Sequence, residues 1–149
     1  EMPKTDLFIS VAAVADYKAK TISLNKIKKR DLAKTSPRIE LEETPDIIRY
    51  VANMKERPLV IGFAAETNNA IQNAKIKLKD KNLDAIIVND VSRKDIGFES
   101  NENEVIFVSG TKETAIAKTD KVSLSRELID IIYSEFRVHL KKRHSARLG

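Results

Sequence analysis

The chain has 149 residues, 42% hydrophobic and 33% charged, with a formal net charge of +5, the balance of one globular domain large enough for a buried core. It has no cysteine, which excludes disulfides, a thiolate metal site and a cysteine nucleophile, and its two histidines, His139 and His144, lie in the C-terminal tail rather than in a catalytic core. Aromatic residues make up 5%, too few for base-stacking platforms, and much of the basic excess falls in 26–30 or after Phe136, so a small anionic molecule explains it as well as nucleic acid.

No run approaches the roughly 18 apolar residues of a membrane span. The N-terminus carries no signal-peptide pattern, and a cytoplasmic location is expected. Glu1–Thr5 is a polar lead-in. Leu7–Val14 is an apolar run suited to a buried strand. It opens into Ala15-Asp16-Tyr17 and then a basic stretch, with Lys18, Lys20, Lys26, Lys28 and Lys29 against the single acid Asp16. Small residues, an acid and lysines beyond a strand's carboxyl end suit an anionic ligand, since open α/β sheets bind there. A buried strand followed by a solvated basic loop reads equally well. Ala12, Ala13 and Ala15 leave room for a flat group against the backbone.

Arg30–Pro37 is a loop by composition, either a flap near the lysines or plain surface. Arg38–Glu42 alternates as a half-buried strand. Thr44-Pro45-Asp46 predicts a helix start, with Thr44 as cap, Pro45 in the first turn and Asp46 on the positive end of the dipole. The helix is expected over 45–56, its apolar side formed by Ile47, Ile48, Val51 and Met54.

Leu59–Phe63 predicts a second buried strand ending in Gly62-Phe63-Ala64-Ala65-Glu66. Gly62 permits close backbone approach, and Phe63 can stack on a base or serve as a core aromatic. Thr67 predicts the cap of a helix through Leu78, with Lys77 and Lys81 four apart at the edge of its apolar stripe. Leu83–Val88 is a third buried strand, running into Asn89-Asp90. A long polar loop follows over 91–103. Glu104–Val108 and Thr114–Ala117 flank Ser109-Gly110-Thr111-Lys112 as an edge hairpin. Ser123 predicts the cap of a last helix with Leu124, Leu128, Ile131, Ile132 and Phe136 on one face. Residues 137–149 read as a basic tail, frayed or disordered.

The fold expected is α/β: a Rossmann-like, three-layer arrangement with a mostly parallel central sheet (7–14, 59–63, 84–88) and an edge hairpin. A complete nucleotide-binding domain would open with a strand, a Gly-rich turn and a helix. The four glycines, at 62, 97, 110 and 149, form no such turn, which also disfavours a Rossmann-type dehydrogenase.

The wording is more specific than the pattern. AAVADY at 12–17 with KIKK at 26–29 resembles the phosphopantothenoylcysteine synthetase family, the CTP-dependent phosphopantothenate–cysteine ligase of coenzyme A biosynthesis. Three further segments match in order: Thr44-Pro-Asp-Ile47, Gly62-Phe-Ala-Ala-Glu-Thr-Asn68, and Lys77–Ala85 running into Asn89-Asp90-Val91. The resemblance assigns 1–136 to the later part of the ligase domain.

It implies a reaction through an acyl-cytidylate, with CTP, 4'-phosphopantothenate and L-cysteine as substrates, Mg2+ as cofactor and a homodimer as the working form. FMN enters only through a fused phosphopantothenoylcysteine decarboxylase. The resemblance places Ala12, Asp16, Lys26, Pro45, Asp46, Ile47, Ile48, Phe63, Lys77 and Lys81 at the nucleotide, with Lys26 also catalytic. No protein ligand to a metal is implied. The family's catalytic asparagine and Gly-rich turn lie upstream and have no counterpart here. A non-catalytic or incomplete nucleotide-binding module is the alternative.

Overall fold

The computed structural model describes residues 5–26, 38–90 and 100–148. They divide into a larger unit, 1–11 with 47–149, and a smaller one, 12–46.

The larger unit is built on a five-stranded sheet. Its strands are β1 (Leu7–Ser10), β4 (Leu59–Glu66), β5 (Ala85–Asp90), β6 (Glu102–Ser109) and β7 (Glu113–Asp120), in spatial order β1-β4-β5-β6-β7. β1, β4 and β5 are parallel, with Ser10 opposite Gly62 and Phe63 opposite Ile87. β6 and β7 close the far edge as an antiparallel hairpin, irregular between Asn103 and Val105. The mostly parallel α/β sheet with its edge hairpin is as expected.

Strand periodicity sorts the apolar side chains into two layers. Leu59, Ile61, Ala85, Ile87, Val105 and Phe107 pack with Leu124, Leu128 and Ile132 of α3 (Lys121–Leu148). Their neighbours Val60, Ala64, Ile86, Val88 and Val108 pack with Val51 and Ala52 of α1 (Ile47–Ala52) and Ala74 of α2 (Ala70–Asp80). Helices therefore cover both faces of the sheet. No helix is long and apolar enough to cross a membrane among the described residues.

Gly62 serves this packing. A Cβ there would meet Cδ1 of Ile48 and Cδ1 of Leu83 at 3.1 Å each, so the close approach it permits is that of α1 and the β5 lead-in. α2 ends in a Schellman turn: Asn82 takes φ 56°, Leu83 N–H donates to Leu78 O at 2.9 Å, and Asn82 N–H to Lys79 O at 3.2 Å. The Asn82 side chain then donates to Ala52 O at 3.1 Å, tying the ends of α1 and α2 together.

In the smaller unit, β2 (Tyr17–Ala19) pairs antiparallel with β3 (Leu41–Glu43) as an exposed ribbon. Lys18 faces Glu42 at 3.1 Å and Lys20 faces Glu40 at 3.7 Å on one side. Ala19 and Leu41 are partners on the other.

Several expectations need correction. The first strand stops at Ser10 rather than Val14. After it the chain turns, with Val14 N–H donating to Ala12 O at 3.1 Å. Thr44 does not cap α1; its hydroxyl donates to Ala15 O and its N–H to Asp16 O at 2.9 Å. α1 accordingly begins at Ile47 and spans 6 residues instead of 45–56. The strand expected over 38–42 is shorter and exposed, because it pairs only with three-residue β2. Asn69, in the left-handed region at φ 50°, rather than Thr67, occupies the N-cap of α2.

At α3 the cap is Asp120, whose carboxylate accepts from Val122 and Ser123 N–H at 3.0 Å each; Ser123 is already inside the helix. The helix continues through 137–148, where a frayed tail was expected. The 30–37 loop and the 91–99 part of the polar loop lie outside the described residues.

Candidate functional site

The carboxyl end of β4 carries a polar group at the ligand end of the parallel strands. β4 continues past the apolar Leu59–Ala64 to finish on Glu66. After three intervening residues α2 begins, and its first turns place Asn73 and Lys77, four apart, on one helix face. Both reach the same carboxylate. Asn73 Nδ2 donates to Glu66 Oε2 at 2.9 Å and Lys77 Nζ to Glu66 Oε1 at 2.5 Å. Asn73 also donates to Asn68 O at 3.1 Å, bracing the loop between strand and helix.

The Glu66 side chain is 11% exposed and that of Lys77 46%. The acid is enclosed while the ammonium remains open to solvent. Burial alone would raise the Glu66 carboxyl, but the hydrogen bonds from Lys77 and Asn73 and the Lys77 charge outweigh it and hold the group below its ordinary value of 4.5.

Other residues expected at the site fall elsewhere in this unit. Phe63 sits three residues before the end of β4, half-buried. It packs against the α3-side core and lines an apolar cavity of 430 Å³ with Ile9, Ile87, Leu124 and Leu128. That volume is in the range of small-molecule pockets. Ile48 is packed on the opposite face, beside Gly62. Ile47, the first residue of α1, is exposed. Lys81 is the C-cap of α2, its N–H on Lys77 O at 3.0 Å, outside the Glu66 group. Asn89, from the matching segment Asn89-Asp90-Val91, is half-buried in β5 between Ala65 and Val105.

Ala12, Asp16, Lys26, Pro45 and Asp46 belong to the smaller unit and are all exposed. Thr44, next to Pro45-Asp46, stitches that end of the unit to the other through Ala15 O and Asp16 O. Among the described residues no group of three or more His, Cys, Asp or Glu could hold a metal ion.

Sequence reasoning assigned no role to Glu66 or Asn73. The available signal was an acid at a strand's carboxyl end followed by an amide and a lysine at helical spacing.

The chain matches the model of the family described as "DNA/pantothenate metabolism flavoprotein C-terminal domain" over residues 1–136. It is 42% identical over 125 residues to the coenzyme A biosynthesis bifunctional protein CoaBC of Vibrio vulnificus (strain YJ016), covering 83% of this chain and 31% of that protein. To the protein of the same name from Escherichia coli (strain K12) it is 39% identical over 132 residues, 88% of this chain and 32% of that one. The chain thus spans about a third of the length of these relatives. The solved C-terminal domain of a CoaBC protein superposes with a TM-score of 0.69 at 30% identity, covering 91% of this chain and 57% of that domain. These matches agree with the resemblance carried by AAVADY, KIKK and GFAAETN, and the chain belongs to the DNA/pantothenate metabolism flavoprotein C-terminal domain family.

Proposed function

We propose that this chain carries the lysine-bearing part of a CTP-dependent phosphopantothenate–cysteine ligase. The observation that bears most on this reading is the Lys77 ammonium, half-exposed and fixed at the carboxyl end of a parallel strand by Glu66. Relatives named for coenzyme A biosynthesis support the same pathway.

In the proposed reaction the phosphopantothenate carboxylate attacks the α-phosphate of CTP. A C–O–P linkage forms, pyrophosphate leaves, and the cysteine amine then displaces CMP from the acyl carbon, losing a proton to solvent. Such chemistry needs two anions brought together and the developing phosphate charge neutralised. Lysines and a Mg2+ ion suffice for that, and neither cysteine nor a core histidine is required. Lys26, Lys77 and Lys81 are assigned to the phosphates, Asp16 to the cytidine or the metal's water shell, and Phe63 and the Ala12–Ala13 backbone to the base and ribose walls. The Pro45–Ile48 turn is assigned to the nucleotide's border.

Mg2+, where used, would be carried by the nucleotide phosphates and would supply further neutralisation of their charge. A homodimer, a fused FMN-dependent decarboxylase and a cytoplasmic location complete the reading.

The test is pyrophosphate release from CTP and phosphopantothenate with cysteine omitted, in the whole protein. Lys26→Gln should lower the rate roughly ten- to a hundredfold, the loss of one charge-assisted phosphate contact. Lys29→Gln, at a position outside the described residues, should change it by less than about threefold. Equal losses would reduce the basic run to diffuse charge, and no loss from either would remove Lys26 from the reaction. CTP should bind more tightly than ATP in calorimetry, and Phe63→Ala should weaken both.

A further inference from the structure

We propose that Glu66 is a positioning residue for the nucleotide phosphates, acting through Lys77 by holding its ammonium at the carboxyl edge of β4. The inference rests on the reading of Lys77 as a phosphate contact. It adds a residue to which neither composition nor motif gave a task.

The geometry supports it at each atom. Glu66 closes β4, so its backbone is fixed by the sheet, opposite Asp90 in the parallel register. One carboxylate oxygen is held by Asn73 at 2.9 Å, leaving the other aimed at Lys77 at 2.5 Å. Asn73 is anchored in turn by Asn68 O at 3.1 Å. Glu66 is therefore a rigid acceptor, 11% exposed, that takes one of the three ammonium N–H groups, while Lys77, 46% exposed, retains the others for a ligand.

A lysine on a four-carbon stem loses much rotamer freedom when it closes on a phosphate. Held in place beforehand, it loses less on binding. The nearby carboxylate weakens the field but does not cancel it, because a phosphate touching the ammonium lies nearer to it than to Glu66. A purely neutralising carboxylate would need no second anchor from Asn73.

The experiment is a double-mutant cycle in the whole protein, reading KM for CTP and kcat for pyrophosphate release with cysteine omitted, alongside thermal melting. Glu66→Gln, which keeps an acceptor for Asn73 but removes the charge, should raise KM for CTP roughly tenfold. In the Lys77→Gln background the same change should have no further effect, because its partner is gone. Glu66→Asp, whose shorter stem withdraws the carboxylate, should reproduce the rise and serves if the glutamine variant fails to fold.

An unchanged or lower KM in Glu66→Gln would overturn the proposal, the latter showing that Glu66 competes with the nucleotide. A rise that persists in full beside Lys77→Gln would also overturn it and make the role purely structural. If Lys77→Gln alone leaves KM and kcat untouched, the phosphate reading of Lys77 is what has failed, and the role of Glu66 falls with it.

Discussion

Arg143 donates from its guanidinium to the carbonyl oxygen of Arg57 at 2.6 Å, across 86 residues of sequence. A second nitrogen reaches Thr5 O at 3.3 Å, and Nε lies 3.6 Å from Asp6 Oδ1. Arg57 is itself paired with Asp84, which also accepts from Val60 N–H at 2.7 Å. One half-buried network thus ties the last turns of α3 to the lead-ins of β1, β4 and β5.

Arg143→Gln should therefore lower stability by about 1–3 kcal/mol, the range for losing partly buried charged hydrogen bonds. Amide exchange should quicken selectively over 137–148. Exchange unchanged in that segment would mean that packing of Leu140 alone holds the helix end.

The extension of α3 was legible in principle. Leu128, Ile132, Phe136 and Leu140 recur at four-residue spacing, and Leu140 packs against the same core as the rest. The basic composition of the tail obscured that stripe. Uninterrupted apolar runs made β4 and β5 plain. The ribbon was not, because β2 is three exposed residues with no apolar period. Asp120 was overlooked as a cap because β7 passes directly into α3, with no loop to mark the boundary. The motif lysines were visible by wording, whereas the bracket that fixes Lys77 depends on a strand end meeting a helix face and cannot be read from spacing alone.

The Asp120 cap makes acid stability testable. Its carboxyl is held below the ordinary 3.8 by the Ser123 hydroxyl first and the Ser123 N–H second, against a smaller opposing effect of desolvation, with Val122 N–H adding to the lowering. A carboxylate with a lowered folded-state pKa contributes stability above its unfolded value. That contribution is lost as pH falls from 3.8 through the lowered pKa. Asp120→Asn keeps an acceptor for the helix N–H groups but cannot titrate. Its melting temperature should lie below that of the parent at neutral pH, and the gap should narrow as pH drops through this window. A gap constant with pH would remove the charge from the cap.

Gly62 gives a graded packing test. The 3.1 Å neighbours are the mobile ends of Ile48 and Leu83, so Gly62→Ala should be accommodated within about 1 kcal/mol. Gly62→Val adds two methyl groups against α1 and should destabilise by about 1–3 kcal/mol, the usual range for overpacking. Chemical denaturation with unchanged slope would check both. Equal, small effects would show that α1 yields freely.

Self-association is the last expectation, and the ribbon is the surface on which to test it. Leu41 in β3 is 58% exposed and Ile39, two residues before it, 73%, apolar surface that a two-stranded ribbon cannot bury within itself. Its charged side is already satisfied by the Lys18–Glu42 and Lys20–Glu40 pairs, each contributing little to stability in solvent. A second copy would offer the same apolar side, and two such surfaces related by a twofold axis would cover one another. Sedimentation of the whole protein should show a dimer at micromolar concentration. Ile39→Asp with Leu41→Asp should shift it to monomer without changing the melting of the sheet-bearing unit, because neither residue belongs to that unit's core clusters. A clean monomer for the parent would refute the dimer. A dimer that survives both substitutions would move the interface away from the ribbon, the exposed edge of β7 being the next surface to test.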